Sequence, residues 1–206
     1  MSVILKGMIV GMIVVFPIGP LGIITTQRAI NFGWKRGFFS GVGAAVSDMF
    51  YSTGAVFGLS YIHDFINSHR TLINKLIGLV FLIIGVSILV NAIKNRHANE
   101  YRENSNLHPA LSHFLLGFSN PFTLLIFLFI FSKWDFGFDT ASLFANFTMV
   151  LSIFGGAVLF WFVATNLLSK LRDHINIIRL YQFNQVIGSI IASFGLFYLL
   201  KGFLGL

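Results

Sequence analysis

The residues with the plainest chemical capacity are one carboxylate and two proline-bearing stretches, all within apolar runs. Asp48 is the sole acid well inside such a run. An ionised aspartate at membrane depth is costly, and intramembrane carboxylates mark ion, proton or substrate paths. Its chemistry would be to hold an ammonium group or to carry a counter-transported proton. The plainer alternative is a hydrogen-bond partner for Tyr51, Ser52 or a broken-helix amide. Gly41, Ala44, Ala45 and Ser52 lie three, four or seven positions away, on the same helix face. That small face is the most packable one, so Asp48 is expected to face the bundle interior.

Pro17-Ile18-Gly19-Pro20 interrupts one apolar run, and Asn120-Pro121 interrupts another. Proline removes a backbone donor, and glycine loosens a helix. Lipid supplies no water for the freed carbonyls, so such breaks survive only beside protein or a wet cavity. Transporters build midplane sites from helices of this kind. A half-helix N-terminus after a break exposes amide donors and a positive dipole end, which suit a carboxylate. Amides around Gly19–Gly22 and Pro121–Thr123 are therefore expected to cradle a substrate carboxylate, with help from the Asn120 side chain. Asp48, Pro17, Gly19, Pro20, Asn120, Pro121 and Thr123 form the expected binding or coupling set. Gln27, Tyr51, Asn74, Trp161 and Asn184 are candidates to line the cavity. The plainer reading of both breaks is a kink, which membrane helices tolerate.

Other polar residues suggest less. His63, His69, His97, His108, His113 and His174 scatter across loops and span ends and read as solvated. Cysteine is absent, so disulfides and thiolate chemistry are excluded, and a tetrahedral metal site is poorly supported. Neither metal nor cofactor is expected. HExxH, GxSxG and Walker lysine motifs are also absent, which excludes built-in ATP hydrolysis. Gly33, Gly37, Gly41 and Ala45 recur every fourth residue, as do the pairs Gly7/Gly11 and Gly54/Gly58. That spacing predicts close helix packing.

The elements that must position these groups follow from hydropathy. The 206 residues are 56% hydrophobic and only 10% charged, with mean hydropathy +0.83. Soluble domains carry roughly 25% charged residues, so the chain is an integral membrane protein. Six apolar runs are visible, about Val3–Thr26, Gly37–Ile62, Leu72–Ile93, Ala110–Ser132, Ala141–Leu168 and Asn184–Leu206. Each is long enough for a spanning helix, and none alternates as a membrane strand would. The fold expected is all-α, in one transporter domain covering 1–206. The first three-helix half ends near residue 93, a polar linker covers 94–109, and the second half begins near 110.

The net charge of +7 lies mostly beside apolar runs. Anchoring at lipid headgroups explains it better than nucleic acid does. Nine basic residues, Arg28, Lys35, Arg36, Lys94, Arg96, Arg102, Lys170, Arg172 and Arg179, fall on one side, against five on the other. The positive-inside rule makes the first side cytoplasmic and both termini external. The N-terminal run lacks a cleavage pattern and reads as a retained helix rather than a signal peptide.

An internal repeat organises the whole. Asn74…Gly78…Gly85 matches Asn184…Gly188…Gly195, Gly43-Ala-Ala-Val46 matches Gly155-Gly-Ala-Val158, and Pro17 matches Pro121. Three helices per half is an odd number, so the second half must be inverted, with a pseudo-two-fold axis in the membrane plane.

Pro17-Ile18-Gly19-Pro20, Gln27-Arg28, Gly33-Trp34-Lys35-Arg36-Gly37, Gly41-Val42-Gly43, Asp48, Asn120-Pro121 and the late Asn184…Gly188…Gly195 helix resemble the lysine-exporter (LysE/RhtB) family over essentially the whole chain. The family's Asn-Pro motif usually continues with lysine, where this chain has Phe122 and Thr123. The resemblance implies a bacterial inner-membrane exporter of amino acids or related small metabolites, driven by a proton or other ion gradient. The partners expected are a small substrate, the coupling ion and lipid, and glycine faces would also allow a homodimer. Competing readings are a metal-ion or small-cation exporter using Asp48 and histidines, an intramembrane lipid-modifying enzyme using Asp48 as acid or base, and a non-transporting scaffold. The enzyme would need a second convergent group at the same depth, which the sequence does not offer. A scaffold would not need paired helix breaks beside a buried carboxylate.

Overall fold

A computed structural model describes residues 2–15, 19–68, 70–94, 107–120, 122–133, 142–172 and 177–204. Pro17 and Pro121 lie outside these described residues, as does most of the expected linker. The described residues form eight helices and no strand: α1 (Val3–Val14), α2 (Gly19–Phe32), α3 (Trp34–Ser68), α4 (Arg70–Lys94), α5 (Pro109–Phe118), α6 (Phe122–Lys133), α7 (Leu143–Lys170) and α8 (Ile177–Leu204).

Local signals explain several boundaries. Ser2 caps α1, its hydroxyl accepting from the Leu5 amide at 3.4 Å, and Ser142 caps α7 in the same way through Ala145 at 3.3 Å. His108 caps α5, and Pro109 supplies its first turn, where a missing N–H costs nothing. Gly33 separates α2 from α3 with φ of 89°, a left-handed conformation open to glycine at little cost.

Among the described residues, α7 and the greater parts of α4 and α8 are long and apolar enough to cross a membrane. The bent pair α5 and α6, set at 67° to each other, makes a fourth span if counted as one. Large apolar side chains cover the outside, among them Phe144, Phe147, Phe194 and Phe203. In water such a surface would aggregate. In hydrocarbon it is simply the face turned to solvent. The chain is a multi-pass membrane protein.

The helices fall into two compact units. The first comprises Met1–Pro17, Leu21–Ser60 and Glu100–Ile175, and the second Ile18–Pro20, Tyr61–Asn99 and Asn176–Leu206. In the first, small residues let helices touch. A Cβ on Gly11 would strike the Ile153 carbonyl of α7, and one on Gly156 would strike the Met8 carbonyl of α1. Gly43 of α3 meets Ala110 of α5, Gly117 of α5 meets Ser47, and Gly41 meets the Trp161 ring. Gly37 closes the turn between α2 and α3 by lying against Ala29. The packing expected of the fourfold glycine spacing thus holds at Gly7, Gly11, Gly37 and Gly41. It does not hold at Gly33, where an added Cβ would meet nothing within 4 Å, or at Gly54, which among the described residues has Leu124 within reach, at 3.7 Å.

The second unit is a seam between α4 and α8. Gly78 lies against Gly195 and Leu199, Gly85 against Gly188 and Ala192, and Gly202 against Lys75. Advancing along α4 moves back along α8, so the pair is antiparallel. Backbone contact of this kind is the van der Waals packing that small residues permit in lipid.

Candidate functional site

Asp48 stands on α3 in the first unit, half-buried. Its face carries Ala44, Ala45 and Ser52, all buried, and Gly41 beneath Trp161. The sequence offered Tyr51 and Ser52 as its hydrogen-bond partners. Both hydroxyls go elsewhere: Tyr51 donates to the Phe118 carbonyl at 2.6 Å and Ser52 to the Met49 carbonyl at 3.0 Å. Among the described residues no hydrogen bond or ion pair holds the Asp48 carboxylate.

Trp161 lies in a core with Val15, Ala45 and Ala157, at 3% exposure, and its indole N–H has no acceptor among the described residues. Thr26 of α2 is equally enclosed, and its hydroxyl is likewise unmatched. A buried polar group left without a partner costs about 1–3 kcal/mol. Gln27 is also buried on α2.

The second helix break is described on both sides. Ser119 and Asn120 close α5 through amide bonds to the Leu115 and Gly117 carbonyls, at 3.0 Å each. The Thr123 amide donates to the Asn120 carbonyl at 3.3 Å. That amide, expected to face a substrate carboxylate, is already occupied by the turn that starts α6. Thr123 is buried and Asn120 half-buried. Gly19 and Pro20 form the first turn of α2. Asn74 and Asn184 are buried in the other unit, on α4 and α8.

The most connected polar cluster is one that sequence reasoning missed. In sequence, Arg28 reads as a headgroup anchor and His113 as a solvated loop residue. Both are interior, at 2% and 0% exposure. Arg28 Nη1 donates to Ser40 Oγ at 2.8 Å, to the Pro109 carbonyl at 3.3 Å and to His113 Nδ1 at 2.9 Å. Ser40 donates its own hydroxyl hydrogen bond to the Arg36 carbonyl at 3.0 Å. His113 Nε2 lies 2.9 Å from Thr25 Oγ1 and 3.2 Å from the Leu21 carbonyl. Leu21, Thr25 and Arg28 follow one another at helical spacing, so one face of α2 reads the α5 ring from edge to edge. A signal was present: His113 sits three residues into an apolar run, where an ionisable side chain must be either paired or functional.

The family model described as LysE type translocator matches residues 12–202, most of the chain. No curated protein and no solved structure matches it.

Proposed function

The chain belongs to the LysE type translocator family, and on that premise we propose that it is a secondary active exporter of amino acids or related small zwitterions. Translocation of small molecules comes with the family. The substrate class, coupling to a proton or other ion gradient and residence in a bacterial inner membrane are our reading. The observation that carries it is the Asp48 carboxylate, held by nothing among the described residues, on a buried small-residue face. A zwitterion supplies an ammonium for such a group. Its carboxylate needs donors, and the Trp161 and Thr26 groups supply two in the same unit. Asn120 and the breaks at Pro17–Pro20 and Asn120–Pro121 complete the proposed site, with Gln27 and Tyr51 beside it.

The seam supports a six-span inverted repeat. Laying Asn74…Gly78…Gly85 onto Asn184…Gly188…Gly195 converts the Gly78–Gly195 contact into the Gly188–Gly85 contact. A two-fold axis between halves requires that exchange. The first unit shows the same reciprocity, with α1 on α7 and α5 on α3. In this reading both termini are external.

The test is a toxicity-rescue panel in peptide-fed bacteria that accumulate one amino acid at a time. Expression should relieve at least one amino acid, and Asp48→Asn should relieve none while reaching the membrane in equal amount. Rescue by neither protein across the panel would remove the amino-acid reading.

A further inference from the structure

The His113 ring meets the Leu21 carbonyl in the first turn of α2, and its own helix ends at Phe118. The direction of each bond is fixed by chemistry. A guanidinium has only donors, so His113 Nδ1 must be the acceptor from Arg28. The ring is then neutral with its proton on Nε2, shared between Thr25 Oγ1 and the Leu21 carbonyl. A second proton could enter only on the Nδ1 lone pair, which Arg28 fills at 2.9 Å.

We infer that His113 Nδ1 is a proton-binding site whose occupation excludes the Arg28–His113 bond, so that a proton opens this one contact between α5 and α2 while the bonds to Pro109 and Leu21 remain. The proton comes from water and adds to the Nδ1 lone pair, and no other covalent bond changes. Two donors, both cationic, would then face each other at hydrogen-bond distance, a repulsive arrangement in a low-dielectric interior. Arg28 retains Ser40 and the Pro109 carbonyl as it separates. Among the described residues, the charged and titratable groups around the ring are these. Arg28 faces it from α2. From α3, Ser40 and the Arg36 carbonyl meet the same guanidinium, while the Arg36 side chain covers the Phe32 ring and Asp48 lies two turns beyond Ser40. On α5 itself, His108 is turned onto Phe39, and α7 contributes Trp161 against Gly41.

The proton's use rests on the exporter reading; its binding does not. In that reading, opening of the Arg28–His113 contact shifts α5, the helix that leads into Asn120, giving the coupling proton a mechanical effect at the second break.

The chain has no cysteine, so spin labels can be placed cleanly at Asn31→Cys on α2 and Leu116→Cys on α5, both exposed positions. Pulsed EPR in nanodiscs should give one distance at about pH 8 and a longer one at about pH 3.5, well below the ordinary histidine range. His113→Gln keeps a neutral acceptor for Arg28 and should hold the first distance at both pH values. Arg28→Gln removes the opposing cation and should also abolish the shift. An unchanged distance in the labelled protein, or a shift that survives in either variant, overturns the inference. Proteoliposomes carrying the unsubstituted chain and a mixture of labelled amino acids test the exporter reading separately. Failure there sinks that reading, while the EPR result still decides the proton site.

Discussion

The two units bury opposite kinds of matter. The α4–α8 seam buries backbone against backbone through Gly78, Gly85, Gly188 and Gly195. The other unit buries side-chain polarity: Arg28, His113, Thr25 and Ser40 bonded together, with Asp48, Trp161 and Thr26 carrying atoms that nothing in the described structure satisfies. Glycine contacts have no rotamers and no protonation states. They hold one geometry, and any added atom breaks it. Hydrogen bonds between side chains can exchange partners when a proton or a ligand arrives. On the exporter proposal, the difference separates a frame from a working part.

Asp48→Asn gives the sharpest test of that division. Gradient-driven amino-acid export in proteoliposomes should fall to the level of empty vesicles, while the melting temperature in detergent stays the same or rises, because no partner loses a bond. Full accumulation by the variant would leave Asp48 a packing residue and dissolve the contrast.

Gly195→Val strikes the frame. Its side chain would collide with the Leu82 amide and the Gly78 carbonyl, and overpacking of this kind costs about 1–3 kcal/mol. The expected result is a lower melting temperature. A wild-type melting curve would mean that the α4–α8 seam is not close-packed in the membrane.

Tyr51→Phe removes one interhelical bond, from α3 to the Phe118 carbonyl. The cost should be about 0.5–1.5 kcal/mol, read by denaturant or thermal unfolding. A loss of export without a loss of stability would instead put the hydroxyl on the substrate.

The last test compares a pair of neighbours. Gly155 has nothing within 4 Å of an added Cβ, while Gly156 meets Met8 of α1. Gly155→Ala should stabilise by up to about 0.5–1 kcal/mol, the helix-interior difference between the two residues. Gly156→Ala should destabilise. Equal responses would show that the α1–α7 contact carries no weight.

Hydropathy alone made the chain an integral helical membrane protein, because lipid accepts few other structures. The helix starts at Ser2, Pro109 and Ser142 follow from capping chemistry within a few residues of each. The glycine motif of α4 and α8 was legible for the same reason: a small residue repeated at fixed spacing reports close approach whatever approaches. What only the tertiary structure decided is which polar groups meet. Arg28 and His113 stand 85 residues apart, and read singly they are an anchor and a loop histidine. Tyr51 and Ser52 sit beside Asp48 in the chain, yet their hydroxyls bond to main-chain carbonyls. A hydrogen bond between helices depends on rotation and register across the contact, and no local pattern in either helix encodes the partner's position.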